Sequence, residues 1–153
     1  MIDKFEGRYA FLSNFYPCTI EYQGIFYPSV EHMYVAMKVN NQQLINGMYY
    51  TPNDFREMIS KIKTAGEAKR IGRKVKLRTG WEDTKLKVMN WAVREKFKDE
   101  KLSELLLSTG DEELVESNWW GDVFYGVCNG IGENHLGKIL MKVREEIRNK
   151  KEV

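Results

Sequence analysis

The chain has 153 residues, 42% hydrophobic and 30% charged, and this composition predicts a globular domain with enough apolar material for a core. Its 24 basic and 22 acidic residues leave a formal net charge of only +2. Long-range attraction to nucleic acid is therefore expected to be modest, although residues 61–78 could form a local basic patch.

Cysteine and histidine usage argues against disulfides and metal sites. Cys18 and Cys128 lie far apart and form no CxxC pair, so both are expected to be reduced. His32 and His135 fit no HExxH or Cys/His spacing, so neither a metal nor another cofactor is expected. The N-terminus lacks the apolar region of a signal peptide, and no apolar run approaches the ~18 residues of a membrane span. These features predict a soluble, cytoplasmic protein without a membrane partner.

The first predicted element is a β-hairpin over residues 19–27. Two short apolar and aromatic runs flank Gln23 and Gly24, and a glycine is favoured in such a turn. Upstream, Asn14 stands between aromatic residues. Those aromatics are more often plain core, whereas Asn14 could bond a sugar hydroxyl or a base edge.

Residues 27–38 are predicted to be a strand end followed by a helix. Pro28 disfavours helix for the residue before it, Ser29 is a good N-cap, and the helical pattern begins at Val30. The segment is apolar nearly all round, which is typical of a helix covered by other elements.

One face of this predicted helix carries an acid, an aromatic ring and an amine. Glu31 and Lys38 are seven residues apart and return to nearly the same face, with Tyr34 between them. Such a pair is usually solvated and contributes only a few tenths of a kcal/mol. A lysine in apolar surroundings can instead lose its proton near neutral pH and become a nucleophile.

The middle of the chain is predicted to be helical after a polar loop or frayed helix end over residues 40–52. Asp54 with Glu57 predicts the start of one helix, and Thr64 with Glu67 predicts the start of a second, short one. The second helix is rich in basic residues. They usually mark a solvated face but could hold a phosphate; they are Lys69, Arg70, Arg73, Lys74 and Lys76.

The remaining elements are a long helix over about 82–98, a short helix over 102–107 and a final helix after a glycine-rich turn at 129–135. Trp81, just ahead of the long helix, could pack in the core or stack on a base. Residues 113–128 are aromatic and β-like but contain acidic groups, which need a partner or a function there. The glycine-rich turn could offer amides to a phosphate, although it fits neither the P-loop nor the GxGxxG spacing. The predicted class is α+β, a mainly helical single domain with a small, mostly antiparallel sheet.

Several separated motifs in this order resemble the NADAR family, also called YbiA-like. They are Leu12-Ser13-Asn14-Phe15-Tyr16-Pro17, Tyr27-Pro28-Ser29-Val30-Glu31-His32 with Tyr34 and Lys38, Ala68-Lys69 with Gly72-Arg73, Trp81, Lys96-Phe97, Leu114-Val115-Glu116 with Asp122 and Gly126, and Asn134 with Leu136-Gly137, Leu140-Met141 and Arg144. The likeness covers about residues 5–148. It implies a YbiA-like fold and a single NADAR domain over residues 1–153.

The resemblance implies an N-glycosidase that breaks the bond between ribose C1 and nitrogen. Family members act on ribosylated pyrimidine phosphates of riboflavin biosynthesis or on ADP-ribosylated guanine in nucleic acid, so either class of phosphorylated ribosyl substrate is a possible partner. The resemblance places Lys38 at the amine that captures C1 as a Schiff base. Glu31 and Asp122 are expected to transfer protons and to orient ribose hydroxyls, in an order that the sequence leaves open.

The resemblance also implies substrate-binding residues. Phosphate is expected at Lys69, Arg73 and the glycine-rich turn, and base stacking at Trp81. The other candidates match family positions or lie beside them, namely Asn14, Tyr34, Glu116, Trp120 and Asn134. Tyr125 departs from the family, which commonly has Trp there, so the pocket size is expected to differ.

Two other functions stay open at this level. One is a module that binds ADP-ribose or a related nucleotide without cleaving it. The other is nucleic-acid binding without catalysis, which the balanced charge disfavours. The sequence indicates no particular oligomeric state.

Overall fold

The computed structural model describes residues 1–152, which form six α-helices, a 3-10 helix at Gly7–Leu12 and three two-stranded sheets. The helices are α1 (Val30–Met37), α2 (Pro52–Ser60), α3 (Ala65–Gly72), α4 (Trp81–Lys96), α5 (Glu100–Leu107) and α6 (His135–Lys151). The strand pairs are β1 (Ile20–Tyr22) with β2 (Ile25–Tyr27), β3 (Gln43–Ile45) with β4 (Met48–Tyr50), and β5 (Ser117–Asn118) with β6 (Val127–Cys128). The first two pairs are antiparallel and the third is parallel, which confirms the predicted α+β class.

The chain divides into two compact units, which are described separately. One unit is the continuous segment 14–92, and the other combines residues 1–13 with the chain from residue 93 onward. Among residues 1–152, no helix combines the length and the apolar character that crossing a bilayer requires. Neither Cys18 nor Cys128 forms a disulfide.

The first hairpin and α1 form as the sequence predicted. Gln23 and Gly24 have φ of 50° and 82°, as a tight two-residue turn requires, and Ile20 pairs with Tyr27. The Ser29 hydroxyl accepts the His32 backbone N–H at 3.1 Å and so caps α1. Every residue of α1 is buried, because α2 and α3 both pack against it.

The prediction of a loop over residues 40–52 was wrong, because a second hairpin, β3–β4, forms there. Its turn is Asn46-Gly47, with φ of 51° and 80°, and Asn-Gly is a strong hairpin signal in any sequence. The Gln43 side chain is buried and accepts the Lys76 N–H at 2.8 Å while donating to the Lys76 carbonyl at 3.1 Å. These two bonds tie the hairpin to the segment that follows α3.

The two helices after this hairpin differ in how well their starts were predicted. For α2 the N-cap is Thr51, whose hydroxyl accepts the Asp54 N–H at 3.0 Å, with Pro52 at the first helical position. The helix therefore begins earlier than the predicted start at Asp54. For α3 the predicted cap is confirmed, because the Thr64 hydroxyl accepts the Glu67 N–H at 3.1 Å.

In the other unit, α5 and α6 pack together, and two buried cations, one on α6 and one at the end of α4, bond to groups outside their own helices. The Arg144 guanidinium donates to the Thr109 hydroxyl at 2.8 Å and to the Glu112 carbonyl at 2.9 Å. Lys96 is buried at the end of α4, and its ammonium donates to the Ser13 carbonyl at 2.8 Å. Residues 113–128 contain only the short strands β5 and β6, so the β-like character predicted there is local.

Candidate active site

The N-terminal turn of α1 holds Glu31 in a buried position. Glu31 is only 8% exposed. It lies in the first turn of α1, where the helix dipole favours a negative charge. Its backbone N–H donates to the Asn14 carbonyl at 3.1 Å, and the Asn14 amide donates to the Met89 sulfur at 3.5 Å. The predicted binding residue Asn14 is thereby fixed beside the start of α1.

The aromatic rings of Tyr34 and Trp81 pack against each other, next to the Lys38 side chain. Their rings meet edge to face, with centroids 5.2 Å apart. Trp81 is only 4% exposed and is the first residue of α4, so its ring is largely packed against neighbours rather than open for stacking. The Lys38 ammonium lies 5.7 Å from the centroid of the Tyr34 ring.

Lys38, the residue that follows α1, lies in surroundings that disfavour its charged form. Burial is the largest cause that lowers the pKa of its amine below the ordinary value, and the positive charges of Lys69, Arg73 and Lys85 lower it further. Glu31 acts in the opposite direction but does not reverse the shift. The neutral, nucleophilic form of this amine is therefore more accessible than that of a solvated lysine.

Three cations act electrostatically on this amine, and the sequence predicted only two of them. Lys69 lies on α3 with its ammonium 5.7 Å from the Phe15 ring, and Arg73 caps the same helix. The third is Lys85, whose side chain is 18% exposed and contacts Glu82 at 2.7 Å. Lys85 comes one helical turn after Trp81, and this spacing is the signal by which the sequence could have identified it. Together these side chains could bind an anionic group such as phosphate.

Helix α3 packs tightly against α1 at Gly72. A Cβ atom placed on Gly72 would lie 2.9 and 3.1 Å from the two methyl groups of Val35 and 3.4 Å from the Lys38 nitrogen. Past α3, the Arg78 backbone N–H donates to the Lys38 carbonyl at 2.8 Å. The backbone around Lys38 is thus held by α3 and by the segment that follows it.

The buried ring of His32 bonds to the N-cap of α1 and to the chain just after α2. Its Nε2 lies 2.8 Å from the Ile62 carbonyl, so this nitrogen carries the proton, and Nδ1 accepts from the Ser29 hydroxyl at 2.6 Å. Burial lowers the pKa of His32 below its ordinary value. The neutral ring therefore connects the cap of α1 to the end of α2.

In the other unit, Asp122 organises a turn in the loop 113–134. Its Oδ1 accepts the backbone N–H groups of Phe124 at 3.1 Å and Tyr125 at 2.9 Å. Asn118 accepts the Asp122 N–H at 3.0 Å and donates to the Asp122 carbonyl at 2.8 Å. The predicted catalytic residue Asp122 therefore has a local structural role, which the sequence did not indicate.

Asn134 and Glu116 belong to the same loop network. The Asn134 side chain donates to the Leu114 carbonyl at 3.0 Å and accepts the Glu116 N–H at 3.0 Å, while its own backbone is left-handed, with φ of 52°. The Glu116 carboxylate accepts from Asn118 at 3.1 Å, and a Cβ on Gly126 would overlap it. These interactions hold the two ends of the loop together.

Trp120, the remaining predicted binding residue, lies on the surface. It is 50% exposed, its neighbour Trp119 is 86% exposed, and the two rings meet edge to face with centroids 5.6 Å apart. The Tyr125 ring packs edge to face on the Phe124 ring, with centroids 4.8 Å apart. Within residues 1–152, no three His, Cys, Asp or Glu side chains are grouped so that they could hold a metal ion.

These features coincide with a family match over nearly the whole chain. The chain matches the model of the NADAR domain over residues 3–148 and belongs to that family, as its motifs predicted.

Three individual relatives support the family assignment and have informative names. The chain is 41% identical over 145 residues to an N-glycosidase of Nostoc punctiforme, with 92% of this chain and 87% of the relative covered. It is 38% identical over 150 residues to a riboflavin biosynthesis protein of Vibrio vulnificus, where the match covers 94% of this chain but only 37% of that longer protein. The NMR structure of the Escherichia coli protein YbiA matches with a TM-score of 0.77 and 33% identity, covering 99% of this chain and 89% of that one.

These matches confirm the predicted YbiA-like fold. The Escherichia coli protein, 34% identical over 146 residues that cover 91% of this chain and 82% of the relative, is itself named an N-glycosidase. The enzyme class predicted from the sequence, a hydrolase of N-glycosyl bonds, is the class that the names of these relatives state.

Proposed function

We propose that this NADAR-family N-glycosidase hydrolyses the bond between ribose C1 and nitrogen in a phosphorylated ribosyl substrate, with Lys38 as the nucleophile. The observation that supports this most strongly is the amine itself. Burial and three neighbouring cations lower the pKa of Lys38 even though Glu31 is near. A lysine with these properties is suited to attack an electrophilic carbon and form a Schiff base.

The proposed reaction has two halves. In the first, the C1–N bond breaks, the Lys38 nitrogen bonds to C1, and the departing base takes up a proton. The sugar ring then opens to a Schiff base between Lys38 and C1. In the second half, water adds to C1 and the carbon–nitrogen bond to Lys38 breaks, which releases the sugar phosphate and restores the amine.

Glu31 is the group proposed to transfer protons in both halves. It lies on nearly the same face of α1 as Lys38, and it is buried in the first turn of that helix. A general acid must deliver a proton to the leaving nitrogen and a general base must accept one from the attacking water, and a single carboxylate can do both in sequence. Tyr34 and Trp81 would form the apolar wall that limits water around the amine.

The cations around Lys38 have a second proposed role, which is to bind the substrate phosphate. Lys69, Arg73 and Lys85 belong to two different helices, so a phosphate bound among them would also hold α3 and the start of α4 in place. The roles that the family resemblance implies for Asp122, Glu116, Trp120 and Asn134 remain predictions.

Two substrate classes fit this chemistry. The name of the Vibrio vulnificus relative favours a ribosylamino-pyrimidine phosphate of riboflavin biosynthesis as the first candidate. ADP-ribosylated guanine in nucleic acid is the second candidate. It is favoured by exposed basic residues around α3, such as Arg70, Lys74 and Lys76.

Chromatographic assay of both substrates side by side tests the proposal. Wild-type protein should release free base from at least one substrate, whereas Lys38→Ala and Lys38→Arg should be inactive, because arginine keeps the charge but cannot form the Schiff base. Lys87→Ala, at an exposed position of α4, is the matched control and should act like wild type.

Two results would contradict the proposal. Normal turnover by Lys38→Ala would exclude Lys38 as the nucleophile. Saturable binding of ADP-ribose without release of base from either substrate would favour a binding module that does not cleave its ligand.

A further inference from the structure

Helix α3 has a glycine where helical propensity disfavours one. Gly72 is the last residue of α3, it is buried, and its backbone does not adopt a left-handed conformation. Alanine would stabilise the helix more at such a position if only the backbone mattered. The reason for glycine must therefore lie in the space around it.

That space is filled by α1. The Cβ of an alanine at position 72 would come within 2.9 and 3.1 Å of the Val35 methyl groups, which is closer than carbon atoms normally approach. Val35 is fully buried and β-branched, so it has no alternative rotamer that opens space easily. A methyl group at position 72 would push α1 and α3 apart.

A displacement of Val35 would also reach Lys38, because the two residues lie within one helical turn. The Lys38 backbone N–H donates to the Val35 carbonyl at 3.1 Å. The Lys38 ammonium also lies directly over α3, 3.4 Å from the place where a Cβ of residue 72 would be. A displacement at Val35 would therefore move the amine away from its position between the two helices.

We infer that Gly72 is a positioning residue, whose missing side chain sets the spacing of α1 and α3 that holds the Lys38 amine in its sheltered place. This inference rests on the proposed function, since the spacing matters to activity only if Lys38 is the nucleophile. Gly72 itself touches no reacting atom and acts through Val35 and Lys38.

The test compares two alanine substitutions in the same helix. Gly72→Ala should remain folded but lose roughly 100-fold in kcat, because a displacement of about 1 Å can cost that much. KM should change less than about threefold, since the phosphate-binding cations are retained. Gly66→Ala is the matched control, because its nearest neighbour, a Phe15 ring atom, is 3.9 Å away and leaves room for a methyl group.

The pH profile separates positioning from general damage. If the amine leaves its sheltered place, its pKa should return toward that of an ordinary lysine, and the rise of activity with pH in Gly72→Ala should shift to higher pH. A loss of folded protein alone would lower activity equally at all pH values.

A double variant tests the role of Val35. Val35→Ala removes the methyl groups that an alanine at position 72 would strike, so Val35→Ala/Gly72→Ala should match Val35→Ala alone in kcat and in pH profile. This comparison tests the role of Gly72 even if the single variant Gly72→Ala fails to fold.

The inference is overturned if Gly72→Ala has the kcat and the pH profile of Gly66→Ala. It is also overturned if the folded double variant is much less active than Val35→Ala alone. In either case an inactive Lys38→Ala would leave the proposed function standing, whereas an active Lys38→Ala would remove the proposed function itself.

Discussion

Helix α1 and the loop 113–134 both contain acidic side chains in largely covered positions, but they use them differently. The backbone of α1 forms regular helical hydrogen bonds, and the helical spacing brings Glu31 and Lys38 to nearly the same face. The loop has little regular structure, and its backbone groups are bonded by Asp122 and Asn134 instead. A regular helix thus places side chains by its spacing alone, whereas an irregular loop uses side chains to bond its backbone.

The largest effect that this comparison predicts is on activity at Glu31. Glu31→Gln keeps the size of the side chain but removes proton transfer, so kcat/KM should fall by about 100- to 1,000-fold. The melting temperature should change by only a few degrees, because glutamine keeps the volume of the buried side chain and its ability to accept hydrogen bonds. Glu67→Gln, at an exposed position in the first turn of α3, is the control in the same assay. Full activity in Glu31→Gln would exclude Glu31 from proton transfer.

The next effect concerns the stability of the loop. Asn134→Ala should lower the free energy of unfolding by about 2–4 kcal/mol, because it leaves the Leu114 carbonyl and the Glu116 N–H without this partner and puts alanine in a left-handed conformation.

Asn129 offers a matched control for this stability effect. It is also left-handed, with φ of 53°, but it is exposed, so Asn129→Ala should lose only about 1 kcal/mol. Denaturant unfolding measures both. Equal losses in the two variants would show that the Asn134 side chain contributes nothing to the loop.

A smaller effect is expected on the pH dependence of activity. The positive charge of Lys85 lowers the pKa of Lys38, so Lys85→Met should raise that pKa. Less neutral amine would then be present at a given pH, and the rise of activity should shift to higher pH, with a loss of roughly threefold to tenfold at neutral pH. Lys85→Arg keeps the charge and should keep the profile. An unchanged profile in Lys85→Met would exclude this electrostatic role.

The smallest effect is on stability at mildly acidic pH. Burial lowers the pKa of His32 below 6.5, so below that pH the unfolded chain binds a proton that the folded chain does not. The contribution of His32 is fully present above pH 6.5 and decreases as the pH falls, by at most about 1.4 kcal/mol per pH unit.

Thermal unfolding at several pH values between 7.5 and about 5.5 measures this effect. His32→Gln should be less stable than wild type above pH 6.5 but should vary less with pH over that interval. An identical pH dependence in the two proteins would contradict the assignment to His32.

The sequence predicted the parts of the site that depend on local geometry. The Ser29 cap, the burial of α1 and the shared face of Glu31 and Lys38 all follow from helical spacing within a few residues. The proximity of Lys85 and Gly72 to Lys38 was not predicted, because it depends on how separate helices pack.

Other misses have different causes. The β3–β4 hairpin was missed because each of its strands has only three residues, although Asn46-Gly47 was a usable signal. The bonds of Asp122 to its own loop follow from a turn that no periodic pattern indicates. In such loops the partners of a side chain become known only from the three-dimensional structure.

The most direct test of the central claim is chemical capture of the intermediate. Borohydride added during turnover reduces a Schiff base to a stable amine, and peptide mass spectrometry locates it. If Lys38 is the nucleophile, a sugar phosphate will be attached to Lys38 and to no other lysine, with no adduct in Lys38→Arg. Release of base at the normal rate with an unmodified Lys38 would contradict it.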